Sequence, residues 1–201
     1  MMQIEKPVRG RPKTLDRQHV LNTAMMSYWA DGAASTSVNE ICKRAGVSKP
    51  GLYREFGSED GLKRAALVNY QAVVLEQLYN AIDADKPFAE TLGNLIPSLL
   101  IDRDVVGLPQ GCLYVDMCNC KEQLGKLATE KLDELRLQAL IHYEKWVDQA
   151  KTKGEFKADI STRRAALYIS EQLGSAMMQQ KRGETDDDTK AFLRLSLSVL
   201  V

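Results

Sequence analysis

Apolar residues recur three and four positions apart along most of this chain, the spacing of one face of an α-helix; no stretch shows the period-two alternation of a strand. Two short helical patterns joined by a tight turn stand out between Thr36 and Phe56, in the run TSVNEICKRAGVSKPGLYREF. Ser37 is placed to cap the first, with Glu40 three residues on to close a capping box. Val38, Ile41, Cys42 and Ala45 then share one face. Gly46 falls where the turn needs a left-handed backbone, which glycine adopts without a Cβ clash. Ser48 is a second N-cap, and Pro50 is tolerated in a first helical turn, where its missing N–H costs little. Leu52 and Phe56 face inward, which leaves Lys49, Tyr53 and Arg54 outward. This is the pattern of a helix-turn-helix whose second helix has a basic and aromatic outer face, shaped to enter a DNA major groove.

The pattern continues on both sides. A preceding helix from about Asp16 to Ala30 has Val20, Leu21, Ala24, Tyr28 and Trp29 on its apolar stripe. Beyond it the periodicity predicts helices over about 58–81, from the Asp83–Pro87 break to about Ile101 with a kink at Pro97, from Cys112 to about Asn119, over about 121–151, from Ser161 or Asp159 to about Lys181, and from near Asp186 onward. Residues 107–111 read as a loop. The expected fold is all-α with about nine helices: an N-terminal three-helix helix-turn-helix domain over 14–57, then a helical regulatory and dimerisation domain over 58–201.

Composition adds little until it is divided. Forty-four per cent apolar and 27% charged residues are ordinary for a globular protein, and the formal net charge is zero. Residues 1–57, however, hold nine Lys/Arg against five Asp/Glu, leaving 18 against 22 for the rest. A reader of charge +4 on a body of charge −4 fits a nucleic-acid-binding unit joined to a separate regulatory one. Residues 1–13 are expected to be a basic flexible arm whose Arg9-Gly10-Arg11-Pro12-Lys13 segment, with Arg9, Arg11 and Lys13, suits an AT-rich minor groove. Met1-Met2 leads into Gln3, Glu5 and Lys6 without an apolar run, and no stretch approaches the roughly 18–20 apolar residues of a membrane helix. The expectation is a cytoplasmic protein with no membrane partner, its four cysteines being thiols.

The chain resembles the TetR family of bacterial transcriptional regulators. The likeness rests on Thr36, Ser37, Ile41, the run Ala45-Gly46-Val47-Ser48-Lys49, then Leu52-Tyr53 and Phe56, and extends from the first helix to Leu62, about a third of the chain. It implies a homodimeric repressor, with two helices from each subunit forming a four-helix interface and a small-molecule effector releasing a pseudo-palindromic DNA operator. It also implies DNA contacts from Thr36, Ser37, Ser48, Lys49, Pro50, Tyr53 and Arg54. Lys49 and Tyr53 are expected to grip phosphate, and Arg54 or Pro50 to face base edges. One position departs: Glu59 stands where the family commonly has a phosphate-touching lysine. That departure keeps a second reading open, a ligand-binding or adaptor protein of the same fold that has lost specific DNA binding.

No catalytic set is visible, and neither an enzymatic activity nor a cofactor is expected. His19 and His142 belong to no metal or nucleophile motif, and no glycine-rich phosphate loop is present. Cys112, Cys118 and Cys120 cluster, yet Cys-x-Cys on one helix points about 200° apart, so a metal site is not expected. Gly111-Cys112-Leu113 is similar to a segment through which some TetR-family members sense electrophiles; the plainer expectation is that these cysteines pack as small hydrophobes. Cys112, Tyr114, Met117, His142, Tyr143 and Trp146 are the candidate lining of an effector cavity between the middle helices.

Overall fold

The computed structural model describes residues 15–82, 85–100, 103–157 and 159–200. The arm with Arg9, Arg11 and Lys13 lies outside the described residues. Among those described there is no strand. Eleven α-helical segments appear: α1 Arg17–Asp31, α2 Val38–Ala45, α3 Lys49–Phe56, α4 Glu59–Tyr70, α5 Glu76–Asn80, α6 Phe88–Leu99, α7 Arg103–Val106, α8 Leu113–Asn119, α9 Lys126–Thr152, α10 Thr162–Lys181 and α11 Asp186–Leu197. A π-helical stretch, Gln71–Leu75, joins α4 to α5 without a break. With that rod taken as one helix and the four-residue α7 set aside, the described residues hold nine.

Most of these helices begin where the sequence provides a cap. Asp16, Ser37, Ser48, Ser58, Ser161 and Thr185 each accept a hydrogen bond from the backbone N–H three residues on. Each such cap contributes about 1 kcal/mol over alanine. Gly46 ends α2 with φ 66°, as the turn demands. The Glu40 carboxylate does not complete the expected box; it accepts from Arg44, which also pairs with Asp31 and so ties α2 back to the end of α1.

Three differences from expectation have local causes. α9 starts at Lys126, preceded by a 3-10 turn over Lys121–Gln123. Its first N–H groups are capped from far away, by Asp60 in α4, whose carboxylate accepts from Leu127 at 2.8 Å and Ala128 at 3.1 Å. The loop after α6 contains the single-turn α7. Pro97 lies in the last turn of α6, which stops at Leu99; the expected end at Ile101 falls outside the described residues.

The core is continuous from reader to body. Trp29 and Tyr28 of α1 are fully buried, and Trp29 meets Tyr70 of α4 edge-on at 5.0 Å. α4 packs on both α1 and α9, and α10 on both α9 and α11. Lys181 of α10 donates to the Trp29 carbonyl at 3.1 Å and pairs with Asp116 of α8. The rod from α4 to α5 therefore runs from the reader into the wall of the body, and a movement in that wall has a packed route to α1.

No helix of the described residues is long and apolar enough to cross a membrane.

Candidate nucleic-acid interface and inner cavity

α3 presents Lys49, Pro50 and Arg54 to solvent, while Gly51 and Leu52 are buried against the other two reader helices. Tyr53 is half-buried, its ring under the Lys49 ammonium at 5.6 Å. Ser37 and Ser48 are exposed, with their side-chain oxygens committed to the N-termini of α2 and α3. A helix N-terminus with unpaired N–H groups favours an anion, so both serines stand where a phosphate is well placed.

Thr36 requires a correction. It was expected among the DNA contacts, but its side chain is buried, and its hydroxyl donates to the Gly32 carbonyl at 2.8 Å. It is a strut that closes the turn after α1, its hydroxyl proton already committed.

Glu59 opens α4 and pairs with Lys63 at 2.8 Å. Lys63 is itself almost buried, so the pair holds a lysine stem against the body while keeping the carboxylate partly neutralised.

The second feature is a cavity of about 310 Å³ between the α4–α5 rod, α6, α7, α8, α9 and α10. Cys112, Tyr114 and Tyr143, three of the six candidates, line it. The other three do not. Met117 is fully buried in the core, Trp146 is stacked on Phe88 at 4.3 Å, and His142 is exposed and stacked on Tyr79 at 4.2 Å. Their spacing placed them on α8 and α9 correctly, but neighbouring helices took up those faces.

Sequence reasoning also missed wall residues. Val73, Val74 and Leu75 come from the π-helical stretch, a distortion often found where a helix serves a site. Arg103 was missed because Asp-Arg-Asp reads as solvated charge. In the structure it is buried: its guanidinium lies 5.6 Å from the centre of the Trp29 ring, and Nη2 donates to the Leu99 carbonyl.

Cys112 begins α8 but is not an activated thiol. Burial pushes its pKa up, and the Tyr70 hydroxyl that donates to its sulfur at 3.2 Å only partly offsets this. Gly111 before it is set by packing: φ is +77°, and a Cβ there would come within 3.0 Å of the Met177 carbonyl and the Lys181 side chain. The Gly-Cys-Leu run thus packs the α8 entrance against α10. Among the described residues no group of three or more His, Cys, Asp or Glu could hold a metal ion.

The same burial makes stability sensitive to alkali. Tyr79 is pushed from 10.0 up to about 12, first by burial and then by the negative charges at Cys112 and Glu76. Cys112 also lies above its ordinary 9.0. Folding therefore favours the neutral thiol and phenol; that contribution is complete below the unfolded values and lost as pH rises through the folded ones. The melting temperature should hold level to about pH 9 and fall toward pH 12. A melting temperature unchanged across that range would contradict the burial of both groups.

Comparison with known proteins agrees with this geometry. Residues 20–66 match the family model for bacterial regulatory proteins of the tetR family, a span running from α1 to the middle of α4. The reader is that of the TetR family. It is 41% identical over 117 residues to the HTH-type transcriptional repressor ComR of Escherichia coli K12, covering 58% of this chain and 56% of that protein. The chain thus spans just over half the length of the curated relatives it matches. The fold is shared along nearly all of it: a cysteine-substituted CifR bound to 26 bp operator DNA superposes with a TM-score of 0.79 at 21% identity, over 96% of this chain and 100% of CifR. A TetR-type regulator of Rhodobacter sphaeroides gives 0.83 at 20%, over 93% and 100%. These relatives are regulators rather than enzymes.

Proposed function

We propose that this chain is a homodimeric TetR-family transcriptional repressor that binds a pseudo-palindromic operator and releases it when a small molecule enters the inner cavity. The observation that carries the reading is the α3 face: two capped helices at a glycine turn expose Lys49, Pro50 and Arg54 together, with Tyr53 at the edge. The 41%-identical relative named as a repressor and the CifR structure holding operator DNA support it. Lys49 and Tyr53 hold phosphate, Arg54 and Pro50 meet base edges, and Ser37 and Ser48 offer helix N-termini to the backbone. Arg9, Arg11 and Lys13 add a minor-groove contact.

Dimerisation is supported by the outer face of α11. Leu193, Leu197 and Leu200 turn into the core, whereas Leu195 is 76% and Val199 50% exposed beside half-buried Phe192. An apolar stripe at helical spacing next to α10 is what a two-fold helical interface needs. A dimer sets the two α3 helices one DNA turn apart, about 34–36 Å. Ligand in the cavity shifts the α4–α5 rod, and the rod carries the shift to α1. The coupling requires only that ligand binds the wrongly spaced state more tightly.

Selection from random double-stranded DNA tests the reading: an inverted repeat should emerge. Lys49→Ala should then weaken binding to all sequences alike and flatten the dependence of log K on log salt by about one counterion. Selection without enrichment would favour a ligand-binding or adaptor role for the same fold.

A further inference from the structure

We infer that the inner cavity takes an organic acid, an apolar body bearing a single carboxylate or comparable monoanion, with Arg103 as its anchor. The inference deepens the effector-responsive reading above and rests on it.

The wall of the cavity is largely hydrocarbon, with contributions from Val73, Leu78, Leu99, Leu108, Leu173 and Met177. Among the described residues that line it, Arg103 is the only charged one. Its side chain is buried, the residue being 7% exposed, and the Nε donor has no hydrogen-bond partner. A buried charge normally has a counterion, because desolvating a cation without one is expensive. Arg103 has no ion pair among the described residues.

The plainer role of Arg103 is to cap α6. Nη2 does this through the Leu99 carbonyl, at a helix C-terminus that favours a cation. That bond uses one donor and leaves Nε and the charge itself unanswered. The Trp29 ring provides a cation–π contact, weaker than an anion would be. A guanidinium presents a fork of parallel donors that matches a carboxylate. With one cation in an apolar chamber, a monoanion on an apolar body fits better than a multiply charged phosphate, which would need further donors. Tyr79 and Tyr143 keep their phenols neutral through burial, so they add hydrogen-bonding capacity without a repelling negative charge. The about 310 Å³ volume points to a small ligand.

The position of Arg103 also connects the site to the reader. Its guanidinium is shared with Trp29, which belongs to α1. A carboxylate competes with the ring for the cation and loosens that contact.

The test uses the full-length protein and matched probe pairs: octanoate with octanol, phenylbutyrate with phenylbutanol and naphthoate with naphthylmethanol. Binding is measured by calorimetry and by Trp29 fluorescence in a Trp146→Phe background. In the wild type, at least one acid should bind roughly ten- to a hundredfold more tightly than its alcohol. Arg103→Met should erase that preference, and Arg103→Gln, which can still donate to Leu99, should do the same. Equal binding of acid and alcohol by the wild type overturns the inference, whether or not the variants fold. So does an acid preference that survives either substitution, or no saturable binding of any acid. Operator release is scored separately by gel shift on the wild type. Acids that bind through Arg103 yet leave the DNA bound would uphold the cavity assignment and sink the effector-response reading. Operator binding with no acid preference would sink the inference alone.

Discussion

Leu195→Arg should convert the protein to a monomer and weaken operator binding on the order of a thousandfold. The side chain is 76% exposed, so the substitution leaves the subunit's own core alone. What it places in the proposed interface is a charge facing its own symmetry mate across a two-fold axis, with no partner carboxylate. Losing the dimer turns an intramolecular second contact into an independent one, and linked sites gain about 10²–10⁴ in affinity from being joined. Sedimentation gives the mass, and a gel shift gives the affinity. Leu137→Arg is the control, since Leu137 is a 56% exposed leucine on α9. A dimer that survives Leu195→Arg but not Leu137→Arg would move the interface to α9.

Trp29→Ala should cost about 3–5 kcal/mol of folding free energy, as large-to-small changes of a fully buried aromatic do. A domain has only about 5–15 kcal/mol in hand, so the variant should be poorly folded at 37 °C. The cost is high because the Trp29 ring packs where the reader meets the body, against the Tyr70 ring of α4 and the Arg103 guanidinium of α7. Trp29→Phe should cost much less. The indole Nε1 has no hydrogen-bond partner to lose, and the aromatic ring remains. Urea unfolding of the two variants checks the order; equal losses would mean that the ring contacts contribute nothing beyond the backbone they rest on.

The reader was legible in the sequence because its determinants are local. Ser37, Ser48 and Gly46 act on backbone groups within three or four residues, so their roles follow from spacing alone. The 3.6-residue periodicity likewise fixed the all-α class and placed the helices within a few residues, most clearly where a cap marks the start. What periodicity could not settle was which neighbour each face would meet. Thr36 reads like an exposed turn residue until the end of α1 is folded over it. Met117, His142 and Trp146 share helices with true wall residues, but the core and the rings of Phe88 and Tyr79 cover their faces. The apolar residues of α11 and the turn after it form one cluster in sequence and divide in space, Leu193 and Leu197 inward and Leu195 and Val199 outward, because α10 covers only one side. Asp60 caps a helix through the N–H of Leu127, 67 residues later, and no local rule links the two. Arg103 looks like solvated charge between two aspartates and becomes a buried cation only when α1 and α6 close on it. Short-range hydrogen bonding and helical period are written into neighbouring residues; burial, and the chemistry that burial creates, is a property of surfaces brought together over long separations, which only the tertiary structure decides.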